Sequence, residues 1–524
     1  MKTLFKNACV CFTATVFSML SLQQTQAQST KNSKPNILFI TVDDMNWDSP
    51  GCYGNTIDSI TPNIDKLAAG GLKFDQAYIQ AASCNPSRMS LITGLYPHNN
   101  AAEGFEPIDP KVTTLTEILH KNGYLNGVMG KEDHLLPHGK FYWDYYIRTN
   151  EELSKGRSPQ MYYKYAKAFF EKTKESKKPF FLMANSNDPH RPFAGGEIEQ
   201  HKIKQGKVLN GFSRRITADE VTLPPFFPDV PGQKEEYASY FTSVHRADES
   251  VGAVMKALEE SGLEENTLVL FISDHGMPFS FAKETCMPNG TRVPFIMKWN
   301  GKIKSGSVEK DNLVMGIDIV PTILEVAGIA TDVEFDGKSL WDIVEGTEKE
   351  TREYAFSEFH ETGGYDWHPE YVTKPTRAIH SKRYSYIVNF WSNGERTNKG
   401  SWAEDGWFRH YVTDVMLNGN KESLDRYYFF FHRVPEEFYD LEKDPDCMNN
   451  LIDDPNYQEI IASYKNKLID HLKETNDPAY KYLKKGTPEA FEEFYQYQYK
   501  KSKDRERITR INKQWPLQIA SGLN

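Results

Sequence analysis

The chain has 524 residues, of which 39% are apolar and 26% charged, so it is long enough for two or three domains with sizeable cores. Its 62 lysines and arginines against 72 aspartates and glutamates give a formal net charge of -10. This balance excludes a nucleic-acid binder that depends on an overall basic surface. A mean hydropathy of -0.61 excludes a protein with several membrane spans.

The first predicted element is a secretion signal. Lys2 and Lys6 precede an apolar run at residues 8–22, and a polar stretch follows it. This run is shorter than the ~20 apolar residues of a membrane span, so we expect no integral membrane anchor. The pattern predicts a signal peptide at 1–27, a linker at 28–34, and an exported protein that is periplasmic or secreted in a bacterium.

Four short apolar runs then end in polar side chains. The runs are residues 37–42, 124–129, 179–185 and 268–273. Helical patterns lie between them, at residues 64–70, 115–121, 161–173 and 237–261. Continuous apolar strands that alternate with helices predict an α/β fold with a large, mostly parallel sheet sandwiched by helices. Because ligands bind beyond the carboxyl ends of such strands, the polar side chains there predict one shared site.

The pattern changes in the last third of the chain. Residues 383–390 and 437–441 have the composition of strands in an antiparallel sheet, and residues 457–475 form an amphipathic helical pattern. We therefore predict a larger α/β domain at 35–355, which contains the shared site, and a smaller C-terminal α+β domain with an antiparallel sheet at 356–524.

Cys84 lies at the predicted start of a short helix. Pro86 fits its first turn and Gly94 fits its C-terminal cap. The N–H groups and the dipole at a helix N-terminus favour an anion there. Taken alone, this placement predicts a nucleophilic thiol of low pKa and a Cys/His hydrolase, but it leaves the acids after the strands unexplained.

Cys84-x-Pro86-x-Arg88, followed by Leu91-x-Thr93-Gly94, resembles the signature of the type I sulfatases of the alkaline phosphatase superfamily. Other segments resemble this family in the same order, namely residues 35–38, 51–55, 61–68, 130–131, 274–276 and 439–445. The resemblance covers nearly the whole chain after the signal. It implies an alkaline phosphatase-like fold, hydrolysis of sulfate esters or sulfamates, and conversion of Cys84 to formylglycine by a formylglycine-generating, sulfatase-maturing enzyme.

The resemblance also implies roles for the site residues. The implied metal ligands are Asp43, Asp44, Cys84, Asp274 and His275. The implied catalytic residues are Cys84, Arg88, Lys131, His134, His190 and Lys283. Carboxylate oxygens suit a hard cation, Ca²⁺ by resemblance or else Mg²⁺. Two positions depart from the common pattern, because relatives often carry Asn where His275 stands and many place His134 one residue closer to Lys131.

Several segments more specifically resemble the N-sulfoglucosamine sulfohydrolases. They are residues 187–192, 274–279, 283–285, 375–379, 406–428 and 437–441. This resemblance implies hydrolysis of the N-sulfate of glucosamine in heparan sulfate or heparin. The candidate sugar contacts are Arg191, His360, Glu361 and Arg377. A loop with Tyr365, Trp367 and His368 is the candidate cap of the pocket.

Three other functions fit the same residues. They are an O-sulfatase on glucosamine or another glycan, a metal-dependent phosphodiesterase or phosphonate hydrolase, and a glycan-binding protein that has lost catalysis. The negative total charge does not exclude a sulfated glycosaminoglycan oligosaccharide or monosaccharide, since the local cations of a site decide what binds there. We therefore expect a small pocket for one terminal sulfated residue.

Overall fold

A computed structural model describes residues 34–150, 152–205, 211–348, 351–362, 372–396 and 409–512. The described residues from Asn36 onward group into one compact unit. The division at residue 355 therefore stays a prediction. The predicted signal peptide and the candidate cap residues Tyr365, Trp367 and His368 lie outside the described residues.

Among the described residues, nine strands form one large sheet. They are β1 (Asn36–Asp43), β2 (Leu72–Tyr78), β3 (Leu125–Met129), β4 (Tyr145–Ile147), β5 (Phe180–Pro189), β6 (Thr267–Ser273), β7 (Arg292–Lys298), β8 (Ser307–Glu309) and β9 (Val314–Met315). Their order is β4-β3-β5-β1-β6-β7-β2-β8, with β9 beside β2. All neighbours are parallel except β7, which is antiparallel to both β6 and β2. The mostly parallel sheet is thus confirmed.

Helices cover this sheet. They are α1 (Pro62–Ala69), α2 (Cys84–Thr93), α3 (Pro97–Asn100), α4 (Leu115–Lys121), α5 (Pro159–Ser176), α6 (Glu197–Lys204), α7 (Gln233–Ser261), α8 (Pro288–Thr291), α9 (Ile319–Val326) and α10 (Trp341–Glu345). Alternate residues of β1 enter two different cores: Leu38 shares one with α5 and α7, and Phe39 shares the other with α2 and α4. Both faces of the central strand are therefore buried, which explains why its sequence is continuously apolar.

A second sheet follows in the described part of the chain, with four antiparallel strands in the order β10-β11-β12-β13. They are β10 (Ala355–Thr362), β11 (Val372–His380), β12 (Tyr384–Asn389) and β13 (Glu436–Asp440). The later helices are α11 (Arg409–Asn418), α12 (Lys421–Phe431), α13 (Gln458–Glu474), α14 (Tyr480–Lys485) and α15 (Pro488–Asn512). The antiparallel C-terminal sheet is confirmed, and α13 matches the predicted amphipathic helix within one residue at each end.

The second sheet packs against the first part of the chain through β10. The Glu358 N–H donates to the carbonyl of Gln80 at 2.7 Å, and the Ser357 hydroxyl donates to the carbonyl of Ile79 at 2.8 Å. This contact brings β10 and β11 close to the segment that precedes α2. None of the described helices combines the length and the apolar composition needed to cross a membrane.

Candidate active site

The carboxyl ends of β1 and β6 place three acids side by side. Asp43 is the last residue of β1, and Asp44 turns the chain with a φ of 71°. The Asp274 N–H donates to the carbonyl of Val42 at 3.0 Å, and the Asp44 N–H donates to Asp274 Oδ1 at 3.1 Å. All three acids are buried. The sequence prediction that these strand ends share one location is therefore met in the structure.

Cys84 begins α2, and Gly94 follows this helix with a φ of 70°, so the predicted helix bounds are confirmed. The Cys84 Sγ lies 3.3 Å from Asp43 Oδ1 and 3.3 Å from His275 Nε2. Burial, together with the negative charge of Asp43, raises the pKa of the thiol well above its usual value. The reading of Cys84 as a low-pKa thiolate is thus wrong for the unmodified residue, because the helix N-terminus does not offset burial among acids.

Two lysines converge on the acids and the thiol. Lys131 Nζ forms an ion pair with Asp43 Oδ2, and Lys283 Nζ lies 2.8 Å from Asp44 Oδ1 and 3.5 Å from Cys84 Sγ. Burial disfavours ionised Asp43, but the nearby cations, Lys131 first, hold the pKa of its carboxyl well below the usual value. Burial likewise opposes the charged form of Asp44, but Lys283 and other nearby cations lower its pKa, so both carboxylates are charged and each has an ammonium partner.

Arg88 is fully buried one turn into α2. Its Nη2 lies 2.9 Å from Asp274 Oδ2, and its Nη1 donates to Thr41 Oγ1 at 2.8 Å and to Asn185 Oδ1 at 3.0 Å. Sequence reasoning missed Thr41 and Asn185. Their signal is a polar residue in or directly after an apolar run, Thr41 within residues 37–42 of β1 and Asn185 after residues 180–184 of β5.

The site contains a donor set that fits a divalent cation. The residues whose ligand atoms all lie within 4.8 Å of one another are Asp43, Asp44, Cys84 and His275. His275 Nδ1 donates to the carbonyl of Gly276 at 3.0 Å, and this bond orients Nε2 towards the acids, 3.2 Å from Asp44 Oδ1. Asp274 Oδ1 lies 3.8 Å from the same nitrogen. Buried carboxylate oxygens suit Ca²⁺ or Mg²⁺, and the imidazole nitrogen completes the set.

Two histidines adjoin this set. His190 follows β5, and burial lowers its pKa to about 4. Its Nδ1 lies 2.6 Å from the carbonyl oxygen of Arg191, which can only accept, so Nδ1 carries the proton. His134 ends a short 3₁₀ turn after Lys131, and burial with the charge of Lys131 lowers its pKa to about 3. Both imidazoles are neutral at pH 7.

The candidate sugar contacts are engaged with protein groups. Arg191 Nη1 lies 2.5 Å from Glu236 Oε1, and its guanidinium lies 4.3 Å from the centre of the Phe193 ring. Glu361 accepts a hydrogen bond from the Ser502 hydroxyl. Their role in binding a sugar stays a prediction.

The other two candidates belong to, or lie against, a second group of buried charges. We call it the interface cluster, and its members are His98, Glu358, Arg377 and Asp477. Arg377 binds Asp477 through two contacts, Nε to Oδ2 at 2.5 Å and Nη2 to Oδ1 at 3.1 Å. His98 Nδ1 lies 2.6 Å from Glu358 Oε2, and His360 Nε2 lies 3.1 Å from Glu358 Oε1. Arg377 and His360 thus lie in an ion-pair network, and sugar binding by either stays a prediction.

The sulfatase family model matches residues 35–329, which is more than half of the chain and includes all the acids, the cysteine and the lysines of the site. The chain belongs to the sulfatase family. It is therefore an enzyme of the sulfatase type, and the alkaline phosphatase-like fold expected from the resemblance is confirmed. A second model, described as N-sulphoglucosamine sulphohydrolase, C-terminal, matches residues 274–405 of this sulfatase.

Known sulfatases resemble the chain over most of its length. An ulvan-active sulfatase of Formosa agariphila is 29% identical over 458 residues, which cover 85% of this chain and 83% of that protein. The human N-sulphoglucosamine sulphohydrolase is 27% identical over 480 residues, covering 84% and 91%. The structure of BT4656 in complex with its substrate D-glucosamine-2-N,6-O-disulfate has a TM-score of 0.61 at 20% identity, covering 85% and 99%. This last likeness supports the fold.

Proposed function

We propose that this sulfatase hydrolyses the N-sulfate of glucosamine in heparan sulfate or heparin. The observation that carries the substrate is the match of residues 274–405 to the C-terminal model of the N-sulphoglucosamine sulphohydrolases. This range includes Lys283, β10 and β11, which adjoin the segment before Cys84. The human relative, similar over most of both chains, supports the same substrate.

The chemistry begins at residue 84. Converted to formylglycine by a maturing enzyme, Cys84 would supply a hydrated aldehyde whose hydroxyl attacks sulfur. In this proposal Arg88, held by Asp274 on one side and by Thr41 and Asn185 on the other, orients that group. An unmodified thiol is a poor substitute, because burial raises its pKa and keeps it protonated.

Asp43, Asp44, Asp274 and His275 would hold the cation, which we propose to be Ca²⁺. When bound, it would neutralise the sulfate charge and favour the ionised form of the attacking hydroxyl. Mg²⁺ is the alternative hard cation for the same oxygens.

Lys131 and Lys283 would bind the sulfate oxygens. Their ammonium groups already lie among the acids, Lys131 paired with Asp43, and Lys283 paired with Asp44 and 3.5 Å from the Cys84 Sγ. Lysine carries its charge on a flexible stem, so each ammonium can turn from an aspartate towards an anion. The local cations thereby explain how a chain with a net charge of -10 takes an anionic substrate.

His190 would donate the proton that the leaving nitrogen or oxygen needs. Its Nδ1–H is fixed by the Arg191 carbonyl, so Nε2 is the atom that exchanges the proton. The pKa of about 4 describes the site without an anion, and a bound sulfate would raise it by stabilising the imidazolium. His134 would assist release of the sulfate from residue 84.

The proposal includes an exported enzyme, periplasmic or secreted, that acts on one terminal sulfated residue. Five disaccharides test the substrate: four carry one sulfate, at the N, 2-O, 6-O or 3-O position, and the fifth carries none. We expect sulfate release from the N-sulfated unit alone, measured by ion chromatography. Release of sulfate from O-sulfated units alone would contradict the proposed N-sulfate substrate, but not the assignment of the chain as a sulfatase.

An O-sulfatase on glucosamine or another glycan is the second candidate, and the similarity to the ulvan-active sulfatase favours a glycan other than heparan sulfate. The same panel, extended with sulfated ulvan oligosaccharides, separates the two candidates. Mass spectrometry of the peptide that contains Cys84 tests the modification, which replaces the thiol by an aldehyde. An unmodified peptide in fully active protein would contradict the formylglycine mechanism.

A further inference from the structure

A buried network of charges lies directly behind His190. The carboxylate of Asp188 is fully buried and accepts from Arg157 Nε at 3.0 Å, from Arg246 Nε at 2.6 Å and from Arg246 Nη2 at 3.1 Å. Arg246 Nη1 also donates to Glu199 Oε1 at 2.9 Å. Two arginines and two acids balance in charge, but burying them costs desolvation energy that their attraction does little more than offset. Stability alone is thus a weak explanation for the network.

The two arginines contact different parts of the chain. Arg246 joins Asp188 to α6, because it also binds Glu199, which lies in that helix. Glu199 Oε2 in turn accepts from the Gly195 N–H at 2.6 Å. Arg157 instead turns towards the backbone after Asp188. Its Nη2 donates to the carbonyl of His190 at 2.8 Å and to the carbonyl of Arg191 at 3.1 Å.

One carbonyl oxygen links Arg157 to the imidazole. The Arg191 carbonyl accepts from Arg157 Nη2 and also from His190 Nδ1, at 2.6 Å. A carbonyl has two lone pairs, so it can accept both bonds. The guanidinium thus fixes the position of the acceptor that decides which nitrogen of His190 carries the proton.

We propose that Arg157 is a positioning residue for His190, which it holds in the Nδ1–H tautomer through the Arg191 carbonyl. This inference rests on the proposed role of His190 as the general acid. Lysine cannot replace Arg157, because the contacts to Asp188 and to the two carbonyls need a planar fork with several donors. Arg246 instead donates to the second oxygen of the Asp188 carboxylate and to Glu199.

Two substrates that differ in whether the leaving atom needs a proton can distinguish a misplaced His190 from a general loss of folding. Arg157→Lys is assayed on N-sulfated glucosamine, which needs a proton at the leaving atom, and on 4-nitrophenyl sulfate, whose phenolate leaves without one. A positioned acid contributes about 10²–10⁴-fold to rate. We expect Arg157→Lys to lower kcat on the sugar by about 10-fold or more, with KM unchanged, and to lower kcat on the aryl sulfate by less than about 3-fold.

Two reference variants calibrate the ratio between the loss of kcat on the sugar and the loss of kcat on the aryl sulfate. His190→Ala shows how much kcat falls on each substrate when the acid is absent. Arg157→Lys should show the same pattern in weaker form, with a larger fall on the sugar than on the aryl sulfate. Arg214→Lys is the matched control, because Arg214 forms a partly exposed ion pair with Glu220. Equal losses of Arg157→Lys on both substrates, or no loss on either, would overturn the inference.

Nuclear magnetic resonance of the wild-type enzyme tests the tautomer independently of turnover. The imidazole ¹⁵N signals of His190, assigned as those missing from His190→Ala, should show a protonated Nδ1 and an unprotonated Nε2 at pH 7.5. A neutral ring with its proton on Nε2 would contradict the inference. If the wild type cleaves the aryl sulfate but no sulfated sugar, the proposed substrate fails, while the His190 tautomer, compared between wild type and Arg157→Lys, still tests the role of Arg157.

Discussion

The active-site acids and the interface cluster look alike at first sight. Each is a buried group of carboxylates and imidazole, and in each the potential ligand atoms lie within 4.8 Å of one another. They differ in where their residues come from. The active-site acids follow parallel strands and face the start of α2, whereas the interface cluster joins α3, two strands of the second sheet and the turn after α13.

The partners of the acids differ as well. In the interface cluster, Asp477 is held by the Arg377 fork and by the Ala479 N–H at 2.8 Å, and Glu358 accepts from the His98 N–H at 2.9 Å. In the active site, the ammonium partners are two lysines on flexible stems. A buried acid cluster is therefore not by itself a binding site. Partners that can turn towards a substrate anion distinguish the catalytic group.

Metal removal should give the largest effect and should act on one cluster only. We expect a chelator to lower the rate of sulfate release by about 100-fold or more. The reason is that the cation would stabilise the charge that develops in the transition state by several kcal/mol. Added Ca²⁺ should restore the activity and raise the Tm of the chelated enzyme. Thermal unfolding with and without Ca²⁺ measures the second effect independently of turnover.

Two variants locate the ion. Asp44→Asn should lose the Ca²⁺-dependent rise in Tm, because it removes a carboxylate from the proposed ligand set. The matched variant Asp477→Asn, in the interface cluster, should keep this rise relative to its own metal-free Tm. If the rise in Tm is lost in Asp477→Asn and kept in Asp44→Asn, the ion binds in the interface cluster, which would contradict our account.

Arg377→Met should destabilise the fold without changing the chemistry. The substitution leaves Asp477 buried without its fork of donors, and breaking a buried pair in this way costs about 3–5 kcal/mol. Denaturant unfolding measures this loss. A variant with wild-type stability and raised KM for the sugar would instead support the original prediction that Arg377 contacts the substrate.

The interface cluster should also make stability depend on pH in alkaline solution. Burial opposes the charged form of His98, but Glu358 and Asp477 raise the pKa of its imidazole to about 9, above the usual 6.5. Its contribution is therefore complete below pH 6.5 and is lost as the pH rises through 9. We expect the free energy of unfolding to fall by roughly 2 kcal/mol between pH 7 and pH 9.5. His98→Gln should be less stable at pH 7 and should lack most of this fall.

Much of the fold could be predicted from local patterns. The buried strands β1, β3, β5 and β6 each contain a short, mostly apolar run, and the residues at the ends of these runs supply most of the site. The strands β2 and β7 were missed, because β2 alternates polar and apolar residues and β7 contains a proline near its start. Their antiparallel pairing depends on residues more than 200 positions apart, which no local pattern records.

The residues of the candidate site could be predicted where a sequence motif contains them. They could not be predicted where the role of a residue depends on a partner that is distant in the sequence. Asp43, Cys84 and Lys131 come together as the strand-end rule and the family resemblance predict. Arg157 and Arg377 show the limit. Arg157 lies in a loop without a motif, and the partner of Arg377 lies 100 residues farther along the chain. Sequence alone cannot tell such an arginine from one that binds a substrate.

The most direct test of the account measures sulfate released from N-sulfated glucosamine per folded molecule. Wild type, Cys84→Ala and Arg377→Met are compared, with the folded fraction taken from denaturant unfolding. We predict no release by Cys84→Ala and a wild-type rate for the folded fraction of Arg377→Met. Turnover by Cys84→Ala, or an inactive but folded Arg377→Met, would contradict the division between a catalytic cluster and an interface cluster.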